Sequence, residues 1–169
     1  AKDIKASKRD FCFISILCYG GLRASEITNI KIGDIRLNER ELYIVGKGEK
    51  FRTVVINNIM YFAIKDYLEE RQQMDTKNPY LFVSQKSINT KKPVNRNFCN
   101  RLLNKYKDSC KLNELHPHLL RHFYGTNALH NAGYTIEQVA SQMGHSDINT
   151  TKQYLDTEKE DMMALANKL

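Results

Sequence analysis

Apolar residues crowd the stretch Phe11–Tyr19, and Ser7-Lys8-Arg9-Asp10 before it has the N-cap and acidic first turn that open a helix. Gly20-Gly21 closes that helix. A second short helix is predicted after Ser25. Ile35-Arg36-Leu37, Glu41–Val45 and Thr53–Ile56 then read as three short strands, with turns at Asn38-Glu39-Arg40 and Gly46–Lys50. From Asn57 to about Gln73 the apolar residues Ile59, Phe62, Ala63, Ile64, Tyr67 and Leu68 recur at helical spacing. Tyr80–Ser84 is predicted as a strand or an extended stretch, and the segment after it as a loop that becomes a helix near Asn95. Pro117 suits the first turn of a helix running to about Asn131 and ended by Gly133. Thr135-Ile136-Glu137-Gln138 is a capping box for a helix closed by Gly144, and Thr157-Glu158-Lys159-Glu160 is another, opening an amphipathic terminal helix. The expected fold class is mainly α with a small antiparallel β-sheet (α+β).

Composition agrees with one ordinary globular domain: 169 residues, 41% hydrophobic and 27% charged. No apolar run approaches the 18 or more residues of a membrane span, and the N-terminus lacks the apolar core of a signal peptide. Cys12, Cys18, Cys99 and Cys110 form no Cys-x-x-Cys pair, so buried thiols in a reducing cytoplasm are the expectation. The chain begins with Ala, and it is expected to be a piece of a longer protein.

Charge changes the picture more. The net charge is +7, and residues 86–111 hold eight bases (Lys86, Lys91, Lys92, Arg96, Arg101, Lys105, Lys107, Lys111) against one acid, Asp108. That strip therefore carries +7 by itself, and the remaining residues balance at 18 bases and 18 acids. A basic strip on a neutral body suits a polyanion, because each base that neutralises a phosphate releases condensed counterions. A solvated loop and helix face is the plainer alternative.

All five histidines fall between His116 and His145. His118 and His122 have an i, i+4 spacing used by zinc enzymes, but the glutamate of His-Glu-x-x-His is missing and Arg121 would repel a cation. No metal site is expected. Instead, His118 and Arg121 share a helix face, where a guanidinium fork can take two oxygens of a phosphate and an imidazole can donate or shuttle a proton. Arg23 follows the Gly20-Gly21 break, and Lys47 sits at the tip of Gly46-Lys47-Gly48. Taken singly, each also fits a surface ion pair or a solvated turn.

As a set they carry a resemblance. Gly21-Leu22-Arg23-Ala24-Ser25-Glu26, Gly46-Lys47-Gly48-Glu49-Lys50-Phe51-Arg52, His118-Leu119-Leu120-Arg121-His122, Gly144-His145-Ser146 and Thr150-Thr151-Lys152-Gln153-Tyr154 resemble, in order and interval, the catalytic domain of the tyrosine recombinases, the integrase family. Small departures are Met143, where Leu is commoner, and Tyr124-Gly125 in place of a Phe-Ala-like pair. The resemblance implies that Arg23, Lys47, His118, Arg121 and His145 form a phosphate site and that Tyr154 is the nucleophile, forming a 3′-phosphotyrosine link to DNA. By that resemblance, Lys47 protonates the leaving 5′-oxygen, His118 assists proton removal or holds the phosphate, and His145 hydrogen-bonds a phosphate oxygen. Neither metal, ATP nor another cofactor is implied, since two arginine forks can stabilise the developing charge and an ester replaces an ester.

DNA contacts are expected from Lys50 and Arg52 beside the turn and from Lys91, Lys92, Arg96 and Arg101 of the strip. The implied protein is a site-specific recombinase of a bacterial mobile element, such as a transposon or phage, in the nucleoid-associated cytoplasm. Its partners would be double-stranded DNA and, in the full-length protein, further copies of itself in a tetrameric synapse; no membrane is involved. Residues 1–169 would be one catalytic domain, monomeric alone and lacking an N-terminal DNA-clamping domain, with 157–169 a helix exchanged between protomers. Two alternatives are a type IB topoisomerase-like relaxation activity and a non-catalytic DNA-binding module.

Overall fold

In the computed structural model the described residues are 7–46, 48, 50–108, 114–152 and 154. Lys47, Cys110, Lys111 and the expected terminal helix over 157–169 lie outside them. Helix α1 (Lys8–Gly20) starts where the Ser7 hydroxyl accepts from the Asp10 amide, and α2 (Ala24–Thr28) follows a sharp break. Strands β1 (Ile35–Arg36), β2 (Glu41–Val45) and β3 (Phe51–Val55) form an antiparallel sheet in the order β1-β2-β3, with Ile35 opposite Leu42 and Tyr43 opposite Thr53. Helices α3 (Asn58–Gln72), α4 (Arg96–Lys107), α5 (Pro117–His130), α6 (Ile136–Met143) and the single turn α7 (Asn149–Lys152) complete the described part. Among the described residues no helix is long and apolar enough to cross a membrane.

Packing explains the order of elements. Alternate residues Leu42, Ile44 and Val54 turn inward from the sheet and join Phe13, Ile16 and Leu17 of α1 and Met60, Ile64 and Tyr67 of α3 in the main core. Phe13 meets Phe82 edge-on at 4.8 Å and Phe98 at 5.5 Å, contacts that contribute about 0.5–1.5 kcal/mol each beyond area burial. Buried Asp10 ties α1 to α4, accepting from Tyr106 Oη at 2.8 Å and Lys105 Nζ at 3.0 Å. A smaller apolar group of Ala128, Val139, Met143 and Tyr154 packs α5, α6 and the chain after α7 together. Cys12 and Cys99 are buried, and burial pushes both thiols up, Cys99 to about 11.

One boundary shifts, and two segments gain detail. The third strand runs Phe51–Val55 instead of Thr53–Ile56, because Val45 pairs with Phe51 and the Gly46 amide donates to Lys50 O at 2.8 Å, which lengthens the hairpin toward its turn. Tyr80–Ser84 takes the second of its two expected forms, an extended stretch: among the described residues it makes a single bridge, Lys31 to Tyr80, while Leu81, Phe82 and Val83 fill the core. The residues before Tyr154 include the α7 turn, and Thr151 and Tyr154 are both buried.

Candidate active site

The break between α1 and α2 depends on Gly21, whose φ of 62° is left-handed and where a Cβ would lie 2.5 Å from the Tyr124 ring. It leaves Arg23 at the head of α2, with its amide donating to Glu26 Oε2 at 2.7 Å and its guanidinium to Glu26 Oε1 at 3.1 Å. Glu26 is the hub of the site. Arg52, from β3, grips both its oxygens at 2.9 Å, and Arg121, from α5, lies 4.0 Å away. Burial alone would raise the Glu26 carboxyl, but the Arg52 hydrogen bonds, the Arg23 amide and the two guanidinium charges outweigh it and hold the group below its ordinary value.

Helix α5 brings His118 and Arg121 to the same place. His116 caps it, its Nδ1 accepting from the Leu119 amide at 3.2 Å, and Pro117 fills the first turn. His118 is exposed, its ring nearly parallel to that of His116 at 6.4 Å. Arg121 is buried, donating to Gly21 O, to Met143 O at 2.9 Å and to His145 Nε2 at 2.9 Å. Burial, and then the charge of Arg23, bring its guanidinium down to about 10, so it keeps its charge at neutral pH.

His145 follows Gly144, which ends α6. Its Nδ1 lies 2.7 Å from Thr151 Oγ1, and burial together with Arg121, Arg23 and Arg52 lowers it to about 4, so the ring is neutral in ordinary conditions. Tyr154 is only 1% exposed. Its ring runs parallel to His145 at 6.2 Å, meets His122 edge-on at 4.9 Å, and lies on Gly125, where a Cβ would sit 3.0 Å from the ring carbons. Its amide donates to Thr151 O at 3.0 Å, and its carbonyl accepts from His130 Nε2 at 3.0 Å.

One cleft of about 650 Å³ unites these parts, lined by Arg23, Arg96, His118, Arg121, His145 and Tyr154. Four of the five residues expected in the phosphate site, and the expected nucleophile Tyr154, therefore line one cleft. The fifth, Lys47, lies outside the described residues; its neighbour Gly46 stands where a Cβ would be 3.9 Å from Glu26 Oε1.

The expected DNA contacts divide. Arg96 lines the cleft. Lys50, Lys91 and Lys92 are exposed on the surface, and Arg101 faces a separate hollow with Arg9, Lys86 and Lys105. Arg52 is engaged within the protein: besides gripping Glu26, its Nε donates to Gln142 O at 2.8 Å, and its side chain is 11% exposed. Sequence reasoning passed over Glu26, Thr151 and His116. The Arg23-to-Glu26 spacing, with the acid third in a helix, was the signal available for Glu26; nothing in the chain marked Thr151 as a partner of His145.

Comparison with known proteins follows the same line. The model of the phage integrase family matches residues 1–161, and the chain belongs to that family. The TnP I resolvase of Bacillus thuringiensis is 39% identical over 166 residues, which are 96% of this chain and 54% of that protein. Among solved structures, XerA recombinase superposes with a TM-score of 0.83 at 29% identity, covering 96% of this chain and 58% of its own. XerH site-specific recombinase, in a pre-cleavage complex with its difH substrate, gives 0.77 at 26% identity, with 96% and 48% covered. The fold is that of a tyrosine recombinase catalytic domain. The chain spans about half the length of the curated relatives it matches.

Proposed function

We propose that this chain carries the catalytic site of a site-specific recombinase of a mobile element, cleaving and rejoining double-stranded DNA through a 3′-phosphotyrosine on Tyr154. The observation that supports this reading is the single cleft in which Arg23, Arg121, His118, His145 and Tyr154 meet. The Tyr154 oxygen attacks phosphorus, a P–O5′ bond breaks, and the 5′-oxygen leaves with a proton supplied by Lys47. Arg23 and Arg121 stabilise the charge that builds on the two non-bridging oxygens, and His118, exposed at the rim, takes the tyrosine proton or holds the phosphate. A phenol becomes a usable nucleophile when a base accepts its proton as it attacks. One ester replaces another, the energy of the broken bond is conserved, and a 5′-hydroxyl from another strand reverses the step.

Arg96 in the cleft wall and the exposed Lys91 and Lys92 supply phosphate contacts along the duplex. In the whole protein, the reading extends to a tetramer on paired sites. A nicked duplex that loses its 5′-end after cleavage tests the chemistry: the wild type accumulates covalent protein–DNA complex, and Tyr154→Phe binds the duplex within about twofold but forms none. Adduct formed by Tyr154→Phe overturns the assignment. A protein that binds but never traps is a DNA-binding module, and one that relaxes plasmid with no site is topoisomerase-like.

A further inference from the structure

Helix α5 carries both ends of the reaction. Its first turns hold His118 and Arg121, and Arg121 is fixed there by Gly21 O and Met143 O. Farther along, Gly125 lies under the Tyr154 ring, and in the last turn His130 Nε2 lies 3.0 Å from Tyr154 O. A carbonyl can only accept, so His130 Nε2 carries a proton and donates it. From Arg121 to His130 the helix advances about 14 Å, at 1.5 Å per residue. One rigid rod therefore spans the distance from the phosphate anchor to the nucleophile's main chain.

Tyr154 comes to that rod from 24 positions farther along the chain. Its amide donates to Thr151 O at 3.0 Å, which closes a turn within its own segment and does not fix where the segment lies. Its ring rests on Gly125 and meets His122 edge-on, but packing of this kind has little direction and lets a ring slide. Among the described residues, the bond from His130 is the one main-chain hydrogen bond that ties Tyr154 to another element. His130 is itself exposed and is not among the residues that line the cleft. It touches the tyrosine backbone and nothing that reacts.

We propose that His130 is a positioning residue: its Nε2–H holds the Tyr154 main chain on the last turn of α5 and so sets the nucleophile in register with Arg121 on the same helix. Losing that bond lets the segment drift along α5 while the phosphate anchors stay in place. The proposal rests on reading the cleft as a phosphotyrosine-forming site.

The test uses the full chain. Nitrogen-15 correlation spectra of the histidine rings, taken without DNA, should show a proton on His130 Nε2, and a ring protonated on Nδ1 alone overturns the proposal. His130→Phe keeps an aromatic ring but has no donor. It should slow covalent-complex formation at saturating nicked duplex by about threefold to tenfold, the population shift that one ordinary hydrogen bond supports, with DNA affinity unchanged within about twofold. His130→Gln places an amide NH2 where Nε2 stood and should restore the rate, whereas His130→Asn is one methylene too short and should stay slow. The Gln and Asn pair decides the matter even where the Phe variant folds poorly. Wild-type rates in both His130→Phe and His130→Asn, or equal slowing by Gln and Asn, refute the positioning role. DNA affinity that falls in step with the rate would make His130 a DNA contact and refute it too. Adduct formed by Tyr154→Phe would instead refute the reading of the cleft, leaving the His130 spectrum standing.

Discussion

Glu26→Gln is the perturbation with the largest consequence that can be worked from the geometry. The carboxylate side chain is 4% exposed and faces Arg52 and Arg121, whose side chains are 11% and 6% exposed. The amide keeps the shape but removes the charge, and it turns an NH2 toward a guanidinium that has only donors to offer. Removing one partner of a buried ion pair costs about 3–5 kcal/mol, because the surviving charge stays buried without compensation. Arg23 adds little to that figure, since its side chain is 43% exposed and solvent screens the pair. Against a total stability of roughly 5–15 kcal/mol, the loss is severe but survivable. Urea unfolding reads it directly: with a slope of about 2 kcal/mol per molar, the midpoint should fall by about 2 M with the slope unchanged. The double variant Glu26→Gln, Arg52→Met should recover part of the loss, since it removes the stranded charge as well. The sign with pH follows. A carboxyl held below its ordinary value stabilises fully above the glutamate range and fades as pH falls through it, and the variant should lose that dependence. A loss under about 1 kcal/mol, or no recovery in the double variant, contradicts the hub.

Two further outcomes separate stability from chemistry. Gly125→Ala adds a helix-favouring methyl, worth about 1 kcal/mol, but places it 3.0 Å from the Tyr154 ring; thermal melting should hold or rise while trapping on a nicked duplex slows at least about tenfold, and unchanged trapping would show that the ring position is not critical. His145, facing Arg121, Arg23 and Arg52 with Glu26 the opposing charge, is lowered from 6.5 to about 4, so the unfolded chain binds the proton first and stability should drop as pH falls from 6.5 toward 4. After allowance for solvent at a half-exposed ring the drop is about 1–2 kcal/mol, and His145→Gln should flatten that part of the urea-midpoint profile.

Much of this architecture was written locally in the chain. Ser7, Asn57, Asn95 and Thr135 all cap helices with their own side chains, because a short polar oxygen before an apolar periodic run has one favourable use there. The hairpin boundaries were less legible, since pairing beyond Thr53 depends on Val45 and the turn, and not on strand propensity. The ion pair of Arg52 was hidden for a related reason: nothing local marks Glu26, 26 positions away, as the partner that the fold brings onto its guanidinium. Burial of Tyr154 was hidden too, because Gly125 and His122 meet its ring only after α5 and α7 have packed together. Family motifs could name the side chains of the cleft, but not the contact between His145 and Thr151.

Mapping the covalent adduct tests the central claim most directly. After trapping on a nicked duplex and exhaustive digestion of both protein and DNA, mass spectrometry should find the nucleotide remnant on the peptide that carries Tyr154 and on no other of the nine tyrosines. A remnant on Tyr124 or Tyr134, or a bound complex that yields no adduct under conditions where the chain is folded, would contradict the account.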